Sequence, residues 1–267
     1  MHPRTPFAVV AVLFGALSLL FAPAAARAAA PWIYRDIVLP RGDVAVDLGF
    51  GYGHEPNPAG PDFDGWGLNL DIAAGVTRDF ELGARLGFRL DDGGQATQAD
   101  RYGRPFDTET YGTLFDRVSN PELHFRWRAA RGSNAELGLE LRGYIPTEEH
   151  SRFGLMFALP IALRVGILRL DTGVYVPLVF YDPTFSVISI PAHLWFQITR
   201  DLWLGPLLGL RVVNQGGTHN EWPLGFGLGV ALNRVVDLKT WFLFPDINQD
   251  AAARSYGFGV ALQVRID

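Results

Sequence analysis

The sequence predicts an all-β chain: a transmembrane, antiparallel, up-and-down barrel of twelve strands behind a cleaved signal peptide. Three observations predict it. Stretches of about ten residues alternate between apolar and polar positions, as strands with two unlike faces do. The links between them alternate between tight turns and long loops rich in Pro, Gly and charge. No stretch after residue 30 approaches the roughly 18 consecutive apolar residues of a spanning helix, although hydrophobic residues make up 48% of the chain.

The first 28 residues lie outside that fold. Arg4 supplies a positive start, Phe7 to Ala22 an apolar core, and AAARAAA offers small-residue cleavage sites ending at Ala26, Ala28 or Ala30. These are the parts of a secretory signal peptide, with cleavage expected after Ala28 or as late as Ala30. Residues 29–42 carry two prolines and no alternation, and are expected to form an irregular N-terminal segment. The barrel is expected to fill 43–267.

The clearest pair of strands is WGLNLDIAAGV followed by FELGARLGFRL, joined by Thr77-Arg78-Asp79. Each arm runs 10 to 12 residues, the reach of a tilted strand across a bilayer. Twelve such runs can be placed: 43–53, 66–77, 79–91, 119–130, 134–146, 153–165, 167–180, 185–199, 201–214, 222–233, 235–245 and 254–266. Links after even-numbered runs are tight, through Arg78, Gly132, Gly166, Arg200 and Arg234; links after odd-numbered runs are longer. Short turns at one end and long loops at the other distinguish a membrane barrel from a soluble sandwich.

Parity agrees. The outward sets, such as Val44/Val46/Leu48/Phe50, Leu155/Phe157/Leu159/Ile161/Leu163 and Phe258/Val260/Leu262/Val264, contain no charge. A charge there would cost about 2–4 kcal/mol at the midplane. Aromatics expected at the interfaces are Tyr52, Trp66, Phe80, Trp127, Tyr144, Phe180, Phe185, Trp222, Phe244 and Tyr256. A weak repeat, TRDFELGARLGFRL at 77–90 and TRDLWLGPLLGLRV at 199–212, admits either duplication or convergence of like hairpins. In this architecture the chain resembles the Gram-negative outer-membrane β-barrel superfamily, in its twelve-stranded class. The resemblance implies an outer-membrane location with periplasmic termini, in contact with lipid and lipopolysaccharide; that class includes small-solute channels and the outer-membrane phospholipases. Unlike many of its members, the chain ends Val264-Arg265-Ile266-Asp267 instead of on an aromatic residue.

Function is expected on the inward face. On runs three to seven it presents Glu81, Arg85, Arg89, Glu122, His124, Arg126, Arg128, Glu136, Glu140, Arg142, Arg164, Arg169 and Asp171. These residues are the expected lumen wall and solute-contacting site. Facing them, Gly49, Gly51, Gly53, Gly225, Gly227, Gly229, Gly257 and Gly259 suggest a wall of nearly bare backbone. Arg/Glu pairs could cross-link and fill the lumen, or could line a water-filled constriction that admits small hydrophilic solutes. The glycine wall favours the second, and the arginine excess then favours anionic solutes held by forked hydrogen bonds. The glycine seam could instead receive 31–42 or the loop 92–117 as a plug.

Other classes carry less. With 23 Lys+Arg against 28 Asp+Glu there is no basic stripe for nucleic acid, and no cofactor is implied. No Cys is present for thiolate metal sites. GFGYG and GFGLG lie inside alternating runs with no helix after them, so they are not phosphate loops. A lipase would need an outward Ser–His pair, but Ser189 and His193 fall inward. A rim hydrolase would draw on His54/Glu55, Glu148/Glu149/His150 and His219/Glu221, which fall in exterior loops. A closed structural or adhesive barrel would use the acidic loop 92–117 to bridge divalent cations to lipopolysaccharide.

Overall fold

In a computed structural model, residues 30–55, 63–89, 121–146, 153–180, 185–214, 217–247 and 256–266 are described, without the side chains of Glu55, 63–65, Arg89 and Phe185. The expected signal peptide and loop 92–117 lie outside them. The strands are β1 (Val44–Glu55), β2 (Phe63–Gly75), β3 (Phe80–Arg89), β4 (Glu122–Arg131), β5 (Ala135–Tyr144), β6 (Gly154–Val165), β7 (Leu168–Val179), β8 (Phe185–Gln197), β9 (Leu202–Asn214), β10 (Thr218–Glu221), β11 (Leu224–Ala231), β12 (Val236–Phe244) and β13 (Tyr256–Ile266). Each pairs antiparallel with its sequence neighbours, apart from β10 and β11. The sheet closes where β13 meets β1, through registers such as Val46↔Val264 and Phe50↔Val260.

The thirteen elements make twelve staves. β10 pairs with the last residues of β9 and β11 with its first, so the two make one stave broken at Trp222-Pro223; the expected run 222–233 covers β11, while β10 lies in residues expected to be loop. Proline has no N–H to give a ladder, which accounts for the break. There the Asp246 carboxylate accepts the Trp222 N–H at 2.9 Å.

The outer face is the apolar one. Phe125, Trp127, Leu139 and Phe157 are each more than 40% exposed. A belt of such side chains around a closed barrel needs lipid against it. A hollow of about 450 Å³ between Phe80, Trp127, Leu139, Phe157 and Val174 opens on this belt, away from the lumen. At the long-loop end Tyr52, Trp66 and Phe258 meet in tilted and edge-on contacts, with ring centroids 4.9 to 5.6 Å apart, as an interfacial girdle does. Tyr144 departs from that expectation. It shares the parity of Arg142, points inward and is buried beside Met156 and Tyr175.

The repeated TRD is one turn used twice. In each copy the threonine hydroxyl accepts the aspartate N–H at 3.3 Å, and the residue before the threonine donates its N–H to the residue after the aspartate at 2.9 Å. The shared turn accounts for the threonine and aspartate that the two copies share.

Candidate functional site

The inward wall is built by alternation. Once Leu82, Phe125, Leu137 and Leu170 face lipid, their neighbours Glu81, Arg126, Glu136, Arg169 and Asp171 must enter the barrel. All the expected wall residues whose side chains are described are buried there: Glu81, Arg85, Glu122, His124, Arg126, Arg128, Glu136, Glu140, Arg142, Arg164, Arg169 and Asp171. The side chain of Arg89 lies outside the described residues. Arg142 donates to Glu122 at 2.8 Å and to Glu140 at 2.6 Å, and Arg126 donates to Glu140 at 2.6 Å. Arg85 lies 3.9 Å from Glu122, and Arg169 donates to Asp171 at 2.8 Å. Cross-linking between neighbouring staves, one of the two expected uses of these charges, is therefore present.

A use that was not expected of this wall is to hold residues 30–43, which cross the short-turn end inside the barrel. A 3-10 turn at Trp32–Tyr34 starts this strap, and Gly42 at φ 90° turns it into β1. Trp32 stacks on Trp203 at 5.5 Å and meets Trp195 edge-on at 5.1 Å; Ile33, Ile37, Val38 and Leu39 are also buried. Wall carboxylates and an amide take the strap's N–H groups: Ile33 to Gln197 at 3.2 Å, Ile37 to Glu136 at 2.8 Å and Leu39 to Glu81 at 2.7 Å. Wall arginines take its carbonyls. Arg164 donates to Ile33 at 2.8 Å and to Arg35 at 2.6 Å, Arg169 to Arg35 at 2.5 Å, and Arg126 to Ile37 at 3.3 Å.

Two ion-pair clusters fasten it. Arg35 grips Asp237 with both guanidinium ends, one of them at 3.0 Å, and Arg265 adds a third bond at 2.6 Å. Asp36 accepts from Arg128 at 2.6 Å and Arg131 at 2.9 Å. At β2 the strap passes so close that a Cβ added to Gly75 would overlap the Leu39 and Pro40 carbonyls. Only glycine allows that approach.

Burial pulls the Arg35 guanidinium below its ordinary value, against the opposing pull of Asp237. Burial works in the other direction on Asp36, raising it, but the hydrogen bond from Arg128 and the charges of Arg131 and Arg128 win and hold it below the ordinary carboxylate value. A depressed carboxylate adds stability that is complete above its unfolded value and lost as pH falls through the folded one. Proteolysis of residues 30–42 in the folded protein is therefore expected to be flat between about pH 5 and 8 as far as Asp36 sets it, and to rise only below about pH 4. An increase centred near neutrality would show that another group fastens the strap.

The glycine wall is not bare. The Trp203 ring covers Gly229, Trp195 covers Gly227 and Trp241 covers Gly259, so that a Cβ at any of the three would fall on an indole. Nearer the short-turn end the same wall carries buried Asp47, Asn69, Asp71, Asp237, Lys239 and Gln263. Lys239 and Gln263 both donate to Asp47, at 3.2 and 2.6 Å. The strap thus rests on the charged wall and the tryptophans, not along an open glycine seam. Parity signalled Asp47, Asp237 and Lys239 as inward. Gln197 shares the inward parity of Ser189 and His193, whereas Arg35 and Asp36 had no such signal, because their role depends on contacts up to 202 residues apart.

Ser189 and His193 are inward and buried, as expected. Among the rim histidines, His54 stacks on Tyr256 at 5.0 Å, and His219 lies 3.3 Å from Glu221, which accepts from Arg211 at 2.6 Å. The Glu148/Glu149/His150 group lies outside the described residues. Among the described residues no three His, Asp or Glu side chains are grouped to hold a metal ion.

Solved structures share this architecture. An outer membrane channel from Pseudomonas putida F1 superposes with a TM-score of 0.60 over 86% of this chain and 97% of its own, at 11% identity. The chain has the fold of the outer-membrane β-barrels. The NanC porin matches with a TM-score of 0.59 over 83% of this chain and all of its own, at 6% identity. The translocator domain of the autotransporter NalP from Neisseria meningitidis matches with a TM-score of 0.51 over 98% of this chain and 97% of its own, at 11% identity. At such identities the likeness is one of fold. No protein-family model and no curated protein matches the sequence. In such a barrel the short turns, and with them the strap, face the periplasm.

Proposed function

We propose that this barrel passes small hydrophilic solutes passively across the outer membrane, and that residues 30–43 close its periplasmic end at rest. The observation that carries the reading is how the closing element is held. The strap is not a stave: side chains bond it to the wall, so it can leave while the ladder that closes the barrel stays whole. The channel and porin neighbours support passage in general. On strap release Arg164 and Arg169 lose the carbonyls they hold. They then meet carbonyl or carboxylate groups of passing solutes, which is where a preference for anionic solutes would arise.

A closed structural barrel is the second reading. It is favoured by the wall itself, where Glu81 is 0% and Glu136 and Arg169 are each 1% exposed. Swelling of proteoliposomes in small neutral and carboxylated sugars separates the two. A channel gives slow swelling that quickens when Arg35 and Asp36 are both replaced by alanine, more for the carboxylated sugars. Swelling at the rate of empty liposomes in both proteins favours the structural barrel.

A further inference from the structure

The strap shows what the wall recognises. Its main-chain groups, not its side chains, make most of the polar contacts, and they are sorted by polarity. The N–H groups of Ile33, Ile37 and Leu39 meet Gln197, Glu136 and Glu81, while the carbonyls of Ile33, Arg35 and Ile37 meet Arg164, Arg169 and Arg126. Arginine can only donate and an ionised carboxylate can only accept. A wall that presents them in turn matches a ligand with fixed donors and fixed acceptors spaced along a chain. A peptide backbone is such a ligand. A sugar hydroxyl serves either role and draws no advantage from the order.

The barrel's own ladder is not involved, because the wall strands spend their main-chain groups on one another. Recognition of the main chain therefore rests on side chains aimed into the lumen and buried. Sockets beside this line take bulky apolar groups. Trp32 fills one between Trp195 and Trp203, and Ile37 lies over Gly138.

From this geometry we infer that the solutes of this wall are short peptides, and that residues 31–39 occupy their path as a tethered stand-in. The inference rests on the channel reading, and its test separates the two. Arg35→Ala/Asp36→Ala in the full-length protein removes both side-chain fasteners and leaves the wall intact. In planar bilayers carrying that variant, tetra-alanine is expected to halve the ion current at a concentration about tenfold or more below that of maltotriose, a difference of about 1.4 kcal/mol. Equal potency, or stronger block by the sugar, overturns the peptide assignment and leaves the channel standing.

A variant that folds but carries no current counts against the channel; in that case, or if the variant does not fold, peptide recognition is decided by a second measurement. In the unaltered protein in detergent, hydrogen exchange is read over residues 31–39. A capped peptide of strap sequence, Trp-Ile-Tyr-Arg-Asp-Ile-Val, is added well above the roughly millimolar effective concentration of a short tether. It is expected to speed exchange severalfold, where maltotriose at the same concentration does not. No acceleration by the peptide, or the same acceleration by the sugar, overturns the proposal.

Discussion

Replacing Asp237 with alanine is expected to raise the ion conductance of the reconstituted barrel at least tenfold. Asp237 is 1% exposed and carries two guanidinium groups, Arg35 from the strap and Arg265 from β13. Removing it leaves both without their nearest carboxylate at the periplasmic rim. Deleting one partner of a fully buried pair costs about 3–5 kcal/mol, because the other charge stays behind in poor solvent. The Arg35 side chain is 13% exposed, so part of that cost is relieved by water, and about 2 kcal/mol is a fair expectation here. Arg35 recovers hydration by swinging out, which takes the strap with it. Each 1.4 kcal/mol moves a two-state ratio tenfold, so the released population rises by about thirtyfold. Arg265→Ala is the control, since it removes a cation but leaves Arg35 bound to Asp237. It is expected to leave conductance close to that of the unaltered protein. If Asp237→Ala conducts no better than Arg265→Ala in planar bilayers, the strap is not what closes the periplasmic end.

Much of the barrel was legible because lipid imposes a strict alternation. Leu139 cannot face acyl chains unless Gly138 and Glu140 face inward, and one such decision fixes a whole strand. The twelve staves, their order and the buried wall from Glu81 to Asp171 all follow from that rule. Register does not. Gly229 sits directly across from Trp203, and Gly259 across from Trp241, so indole rings lie where the glycines alone suggested space. Position along one strand says nothing of the neighbour's height, and the run of glycines was read without the tryptophans that cover it. Tyr144 shows the opposite error: its place near a strand end suggested the interface, while its parity already pointed inward.

The strap was the least legible part. Residues 31–42 have no period, and an irregular segment declares its partners only through contacts remote in sequence. Ile37 meets Glu136 across 99 residues, and Ile33 meets Gln197 across 164. What the sequence did hold was a hint in composition: Trp32, Ile33, Ile37 and Val38 are too apolar for a segment left in the periplasm. The charges on β3–β7 whose side chains are described are buried, but their use could not be read from placement. The same thirteen side chains could select solutes or bind the chain's own backbone, and only the position of the strap separates the two.

Glu136 is where these contacts concentrate, and its removal should cost the most stability. The carboxylate is 1% exposed. It accepts the Ile37 N–H at 2.8 Å and Arg164 at 3.2 Å, with Arg131 and Arg128 at 3.8 and 4.0 Å. Glu136→Ala strands a strap amide and Arg164 together. By the usual cost of breaking a buried pair it should lower the unfolding free energy by about 3–5 kcal/mol. Glu136→Gln keeps an oxygen for the Ile37 N–H but gives up the charge. Arg128 and Arg131 still have Asp36, so the glutamine should cost only about 1.5–3 kcal/mol, the worth of a hydrogen bond to a charged group lost by Arg164. Urea unfolding in lipid vesicles, with the mobility difference between folded and unfolded protein as the readout, gives both numbers. The order matters more than either value. If alanine and glutamine cost the same, the charge alone matters and the strap's main chain is not being held. If alanine costs less than about 1 kcal/mol, water replaces Glu136 without penalty and the floor of the barrel is not the packed layer that its burial implies.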